Sequence, residues 1–159
     1  MDGMIYNIQK FYLRVSIMQK HIGKFYLSDD NEFILTKYEK VHALLKDSYW
    51  ASLRDADTMR LAMENSLNYA LFETASGCLA GYARVITDFA TMYYLCDVFI
   101  AKKFRGMGLG KALVEHIVSD DTRLIHLNGT LKTRDAQSLY EKYGFVESDV
   151  TCMFQNRNA

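Results

Sequence analysis

From Thr36 to Trp50 the apolar positions Tyr38, Val41, Leu45 and Tyr49 recur at intervals of three to four, the spacing of a helix that buries one face. A second helix is predicted behind it, where Asp57 can cap and Met59, Met63 and Leu67 recur every four residues. The pattern then turns extended. Three strand-like runs, Tyr69 to Glu73, Leu79 to Thr87 and Met92 to Ile100, are separated by turns at Ser76-Gly77 and Asp88-Phe89-Ala90, which predicts an antiparallel meander. At Gly108 the helical period returns, with Leu109, Leu113 and Ile117 marking a face that runs to about Ser119. A strand is expected within Leu124 to Lys132. Thr133 or Asp135 then opens a helix carrying Ala136, Leu139, Tyr140 and Tyr143, which Gly144 ends in the left-handed conformation. Phe145 to Phe154 reads as a last strand. This order predicts a mixed α+β (mixed α/β) sheet with helices on both faces. Phe11 to Met18 reads as an edge strand or an extension, so residues 1–23 are set apart from one domain spanning 24–159.

Composition narrows the class. The chain has 159 residues, enough for one ordinary domain. With 50% hydrophobic and 24% charged residues, it is neither a disordered polar chain nor a membrane protein. Nineteen basic residues balance nineteen acidic ones, so no global charge draws it to nucleic acid or anionic lipid, and any anion binding has to be local. Cys78, Cys96 and Cys152 form no CxxC pair and suit a reducing, cytoplasmic compartment. Met1 to Lys24 is broken by Asp2, Lys10, Arg14 and Lys20 and lacks the apolar core of a signal peptide. The histidines show no ligand spacing, so no metal is expected.

The candidate chemistry lies where a strand ends and a helix begins, from Val98 to Lys111. Gly106, Gly108 and Gly110 alternate there and bare the amides of the helix start to close approach. Between Val98 and Val114 stand Lys102, Lys103, Arg105 and Lys111, with no acidic residue. The combination points to a polyphosphate. A P-loop is excluded because position 105 is arginine and 112 alanine. A dinucleotide fingerprint is excluded because the third glycine arrives one residue early. What the stretch does match is Arg-x-x-Gly-x-Gly, Arg105 to Gly110, the signature of the GNAT superfamily of acyl-CoA-dependent N-acyltransferases, which this chain resembles. The resemblance continues in Thr133-Arg-Asp-Ala136-Gln-Ser-Leu-Tyr140-Glu-Lys-Tyr-Gly144-Phe145, similar to the family's N-x-x-A-x-x-x-Y-x-K-x-G-F segment. It covers about residues 36 to 146, and it looks most like small bacterial-type members with unassigned acceptors.

The resemblance implies a mostly antiparallel twisted sheet whose parallel fourth and fifth strands splay apart around acetyl-CoA, the cosubstrate. It implies that the backbone of Val98, Phe99 and Ile100 holds the acetyl carbonyl and pantetheine. It likewise assigns the pyrophosphate to Arg105, Gly106, Met107, Gly108, Leu109, Gly110 and Lys111. Thr133 and Ala136 are carried over as cofactor-binding, with Thr133 standing where many members have asparagine. Tyr140 falls at the general-acid position, where a phenol can protonate the departing thiolate. The implied activity is direct transfer of acetyl to a primary amine of an unidentified small-molecule or protein acceptor. The alternative is a noncatalytic, regulatory CoA-binding module. A second copy of the chain, as a homodimer, is a further optional partner.

Residue alternation bears on the base. It puts Tyr93, Leu95, Asp97 and Phe99 on one strand face, so Asp97 is either a base whose pKa burial raises or the structural partner of Arg84. Cys96 is then expected on the opposite side, away from Asp97. Tyr49 and Trp50 read as one wall of the acceptor pocket or as core packing.

Overall fold

Two four-residue strands, too short to show a period, open the described chain: β1 (Gln19–Ile22) and β2 (Phe25–Ser28). The computed structural model describes residues 19–148 and Met153. The expected strand Phe11 to Met18 lies outside them, as does most of the expected last strand; within the latter, residues 145–148 form no strand. The β1–β2 hairpin turns at Gly23, where φ is 56°, so the expected boundary between 23 and 24 falls at its tip.

Asp30 caps α1 (Asn31–Leu35) by accepting from the Phe33 amide at 3.0 Å, and α2 (Tyr38–Leu45) follows. The helix expected to reach Trp50 stops here because Ser48 turns on the backbone. Its hydroxyl donates to Leu45 O at 2.6 Å and accepts from the Ala51 amide, which competes with helical bonding. Tyr49 is therefore in a loop. α3 (Ala56–Glu64) is capped by Asp55 rather than Asp57, through the Thr58 amide and hydroxyl at 2.8 and 2.6 Å. Leu67, expected on this helix, begins β3 (Leu67–Glu73).

β4 (Leu79–Thr87) and β5 (Met92–Ile100) complete the meander with the predicted ends. α4 (Leu109–Glu115) continues as a wide π-turn through Asp120. β6 (Asn128–Leu131), α5 (Gln137–Tyr140) and a 3-10 turn ending at Gly144 follow. The six strands lie in one sheet in chain order, antiparallel except for the parallel β5–β6 pair. One face packs Leu67, Tyr69, Tyr93 and Leu95 with Leu109, Leu113 and Ile117 of the α4 region. The other packs Ala70, Phe72, Tyr82 and Phe99 with Ile34, Val41, Leu45, Met59 and Met63 from the first three helices. Helices thus cover both faces. Among the described residues no helix is long and apolar enough to cross a membrane.

Candidate active site

The site begins as an irregularity in β5. Arg84 pairs with Cys96 and Tyr82 with Phe99, so two steps of β4 face three of β5, which is a bulge with one extra residue. Asp97 occupies it with φ 54°, a left-handed value that aspartate tolerates better than most side chains. The bulge shifts the alternation. Tyr93 and Leu95 pack toward α4, whereas Phe99 packs toward the first three helices. The expected single face of Tyr93, Leu95, Asp97 and Phe99 is thus broken, because alternation holds only for a strand without insertions. Cys96, expected away from Asp97, lines the same cavity. Burial pushes its thiol up to about 11, so it stays neutral near pH 7.

A bulge bends and twists its strand, and β5 leaves β6 at this point. Their pairing ends at Leu95 opposite Leu131, while β5 runs on to Ile100. Among the described residues Cys96 to Ile100 therefore have no strand partner on that side, and two cavities fill the splay. One, of about 690 Å³, is lined by Val98, Phe99, Ile100, Arg105, Gly106, Gly108, Leu109, Gly110, Ala136 and Tyr140, with Asp47, Ser48, Tyr49 and Trp50 opposite. Met107, half exposed, and Lys111 are off this lining. The other cavity, of about 650 Å³, is lined by Asp97, Cys96, Arg54, Arg84, Thr133, Arg134 and, shared with the first, Trp50, Val98, Ala136 and Tyr140.

Gly106 and Gly108 turn the chain with φ of 77° and 76°. An added Cβ at either would meet nothing within 4 Å, and at Gly110 only Ile100 Cγ1 at 3.7 Å. The glycines are thus not demanded by tight helix-on-strand packing, and they leave the turn open to a ligand. The cations beside them are partly engaged. Arg105 donates to Ile100 O at 3.0 Å and lies over the Phe99 ring, and Lys102 faces Asp47 at 3.4 Å. That last pair is exposed and contributes little.

Asp97 is buried and fully committed. Its carboxylate accepts from Arg84 Nε at 2.9 Å, from Arg54 at 2.8 and 3.2 Å, and from Trp50 Nε1 at 3.2 Å. Burial alone would raise its pKa, but the two guanidiniums outweigh burial and hold it below the usual carboxylate value. Of the two readings of Asp97, the geometry contains the pairing with Arg84, and the upward shift attached to the other is not found. Arg54, in the loop after α2, carries no signal in the sequence beyond its charge. Trp50 also packs on Phe99 at 6.0 Å between centroids, so it is both a wall of the cavities and a brace for the bulge.

Tyr140 is buried between the two cavities, its ring edge-on to Phe145 at 6.0 Å. Burial, with Tyr49 and Asp135 nearby, pushes its phenol up to about 12. Thr133 accepts from the Ala136 amide at 3.0 Å, so its hydroxyl positions the turn into α5.

The comparisons with known proteins agree with this geometry. Residues 65–147 match the family described as the acetyltransferase (GNAT) domain. An uncharacterized N-acetyltransferase, ycf52, of Pyropia yezoensis is 26% identical over 148 residues, covering 87% of this chain and 83% of that protein. A crystal structure from Xanthomonas campestris, described as an acetyltransferase of the GNAT family, is 30% identical with a TM-score of 0.74 over 85% of this chain and 96% of its own. A Staphylococcus aureus structure at 21% identity and TM-score 0.69, covering 83% and 98%, shares the fold. The splayed strands, the glycine turn and these matches together place the chain in the GNAT acetyltransferase family.

Proposed function

We propose that the chain is an N-acetyltransferase that moves the acetyl group of acetyl-CoA directly to an amine. The observation that carries this reading is the open edge of β5 from Cys96 to Ile100, ending at a glycine turn where a Cβ added at Gly106 or Gly108 would meet nothing within 4 Å. Backbone groups left unpaired by the splay have to find partners, and a ligand with amide and carbonyl groups supplies them. The residues fit acetyl-CoA: Val98, Phe99 and Ile100 for the acetyl and pantetheine end, Ala136 and Thr133 along the arm, and residues 105–111 for the diphosphate. Acetyl-CoA supplies an acyl group activated as a thioester.

The chain's own groups divide the remaining work. Tyr140, which lines both cavities, keeps its proton through the neutral range and delivers it to the departing thiolate. Asp97, spent on two arginines and Trp50, acts as a positioning residue that holds the bulge open rather than as the base. The amine enters through the cavity lined by Trp50, Arg54 and Arg134 and loses its proton to solvent there.

Thiol release from acetyl-CoA in the presence of an amine panel tests the reading, with calorimetry of CoA binding beside it. Binding with amine-dependent thiol release is expected. Binding without release from any amine would make the chain a CoA-binding module, and no binding at millimolar CoA would remove the cosubstrate assignment.

A further inference from the structure

Resting on that acetyl-transfer reading, we infer that the acceptor amine carries an anionic group, a carboxylate or a phosphate, taken up by the cavity beside Asp97. This cavity is lined by three arginines, Arg54, Arg84 and Arg134, against two carboxylates, Asp97 and Asp135. The excess is one positive charge in a chain whose formal net charge is zero.

The distribution matters more than the count. Asp97 turns both oxygens to Trp50, Arg54 and Arg84. It therefore offers no free oxygen to an ammonium group, and it neutralises only one of its two arginines. Arg54 keeps part of its side chain exposed, 21% against 2% for Asp97, so the residual charge faces the opening. Arg134 comes from the opposite wall, its guanidinium 3.9 Å from the centroid of the Tyr49 ring. A guanidinium held over an aromatic ring by its charge keeps N–H donors for a planar or tetrahedral anion.

A cationic cavity acts twice on an amine. It opposes the ammonium form, lowering the amine pKa and raising the fraction with a free lone pair. It also repels acceptors that bear only positive charge, such as polyamines, and so selects by exclusion as well as attraction. An anionic substituent satisfies the arginines while the amine points to Tyr140 and the β5 edge.

Matched pairs test the inference on the full chain: 2-aminoethyl phosphate against 2-aminoethanol, and glycine against glycinamide, with spermidine as the polycation. Thiol release gives kcat/KM, and calorimetry in the presence of CoA gives affinity without turnover. The anionic member of at least one pair is expected to be preferred about tenfold or more, the scale of a charge-assisted hydrogen bond. The pair that responds identifies the anion. Arg134 is exposed, so Arg134→Glu is expected to fold normally, abolish the preference and shift it toward spermidine, whereas Arg134→Lys retains part of it. Equal or better use of the neutral and cationic amines, with thiol release intact, overturns the inference alone. Absence of release with every amine removes the acetyl-transfer reading. In that case an anion preference in binding that Arg134→Glu abolishes upholds the charge selection, and its absence overturns that too.

Discussion

At φ 54° Asp97 holds a backbone conformation that costs most side chains roughly 1–2 kcal/mol and that Asp and Asn tolerate. Asp97→Asn therefore separates the charge from the bend. The torsion survives, but Arg54 and Arg84 lose their counter-ion, and breaking a buried ion pair on one side costs about 3 kcal/mol or more. Because the folded state holds the Asp97 pKa low, its contribution is present above the unfolded value of about 3.9 and is lost as pH falls through the folded value. Urea unfolding should show a wide gap between wild type and variant at pH 7 that narrows in acid; a gap independent of pH would mean that the pair contributes no net charge stabilisation. At Tyr140 the prediction concerns rate. Tyr140→Phe keeps the ring and is expected to lower turnover ~10² to 10⁴-fold with CoA affinity unchanged by calorimetry. With its phenol near 12, the wild type should show no loss of rate from Tyr140 ionisation between about pH 7 and 10. Equal turnover of the two proteins would leave Tyr140 as a packed ring. Tyr140 could be read from its motif, whereas Arg54 could not, since only the fold brings its loop to Asp97.

At the scale of elements, β4 and β5 were legible to the residue because their apolar runs are bounded by turn-forming sequence. The ends of α2 and the cap of α3 were not. Ser48 stops a helix whose apolar spacing continues to Tyr49, and the cap expected at Asp57 lies two residues earlier, at Asp55, whose carboxylate reaches the Thr58 amide. The bulge in β5 left a single trace, an aspartate in an apolar strand, so the face assignment of Phe99 and Cys96 failed with it. The glycine turn was legible as a motif, yet its three glycines differ in a way only the backbone reveals. Gly108 has φ 76°, so Gly108→Ala strains the turn by about 1 kcal/mol. Gly110 lies inside α4 without positive φ, and its Cβ would make ordinary contact at 3.7 Å. Gly110→Ala is expected to hold or raise thermal stability by up to about 1 kcal/mol, through helix propensity, while weakening CoA binding. Melts with and without CoA decide it: an unchanged ligand-induced shift in Gly110→Ala would place the diphosphate away from this turn.

Across the whole molecule the sheet carries the site at one end of β5 and, away from it, a second charge network that is buried at Arg123, Asp29 and Asp121. Arg123 pairs with Asp29 at 3.0 Å and with Asp121, which accepts from Tyr69 at 2.6 Å, while Lys20 pairs with Asp120 at 2.7 Å. These contacts tie the β1–β2 hairpin to the connection between α4 and β6. His116 sits among them, fully buried, with no hydrogen bond to either ring nitrogen among the described residues and its Nδ1 3.6 Å from Asp120 Oδ2. Burial lowers its pKa despite the raising influence of Asp29, Asp121 and Asp120; Lys20 adds to the lowering. The folded state thus binds a proton at His116 less readily than the unfolded chain, whose histidine titrates near 6.5. Stability should be complete above that value and fall as pH drops toward the folded pKa, by at most about 1.4 kcal/mol per pH unit. His116→Leu removes both the titration and two unpaired polar atoms. It is expected to be neutral or stabilising at pH 7 and increasingly stabilising relative to wild type toward pH 5. Urea unfolding of both proteins across this range isolates the effect, because the other histidines titrate in each and cancel in the difference. Parallel curves would mean that His116 exchanges no proton on unfolding, and a difference of opposite sign would mean that its imidazolium closes onto Asp120 and pairs there.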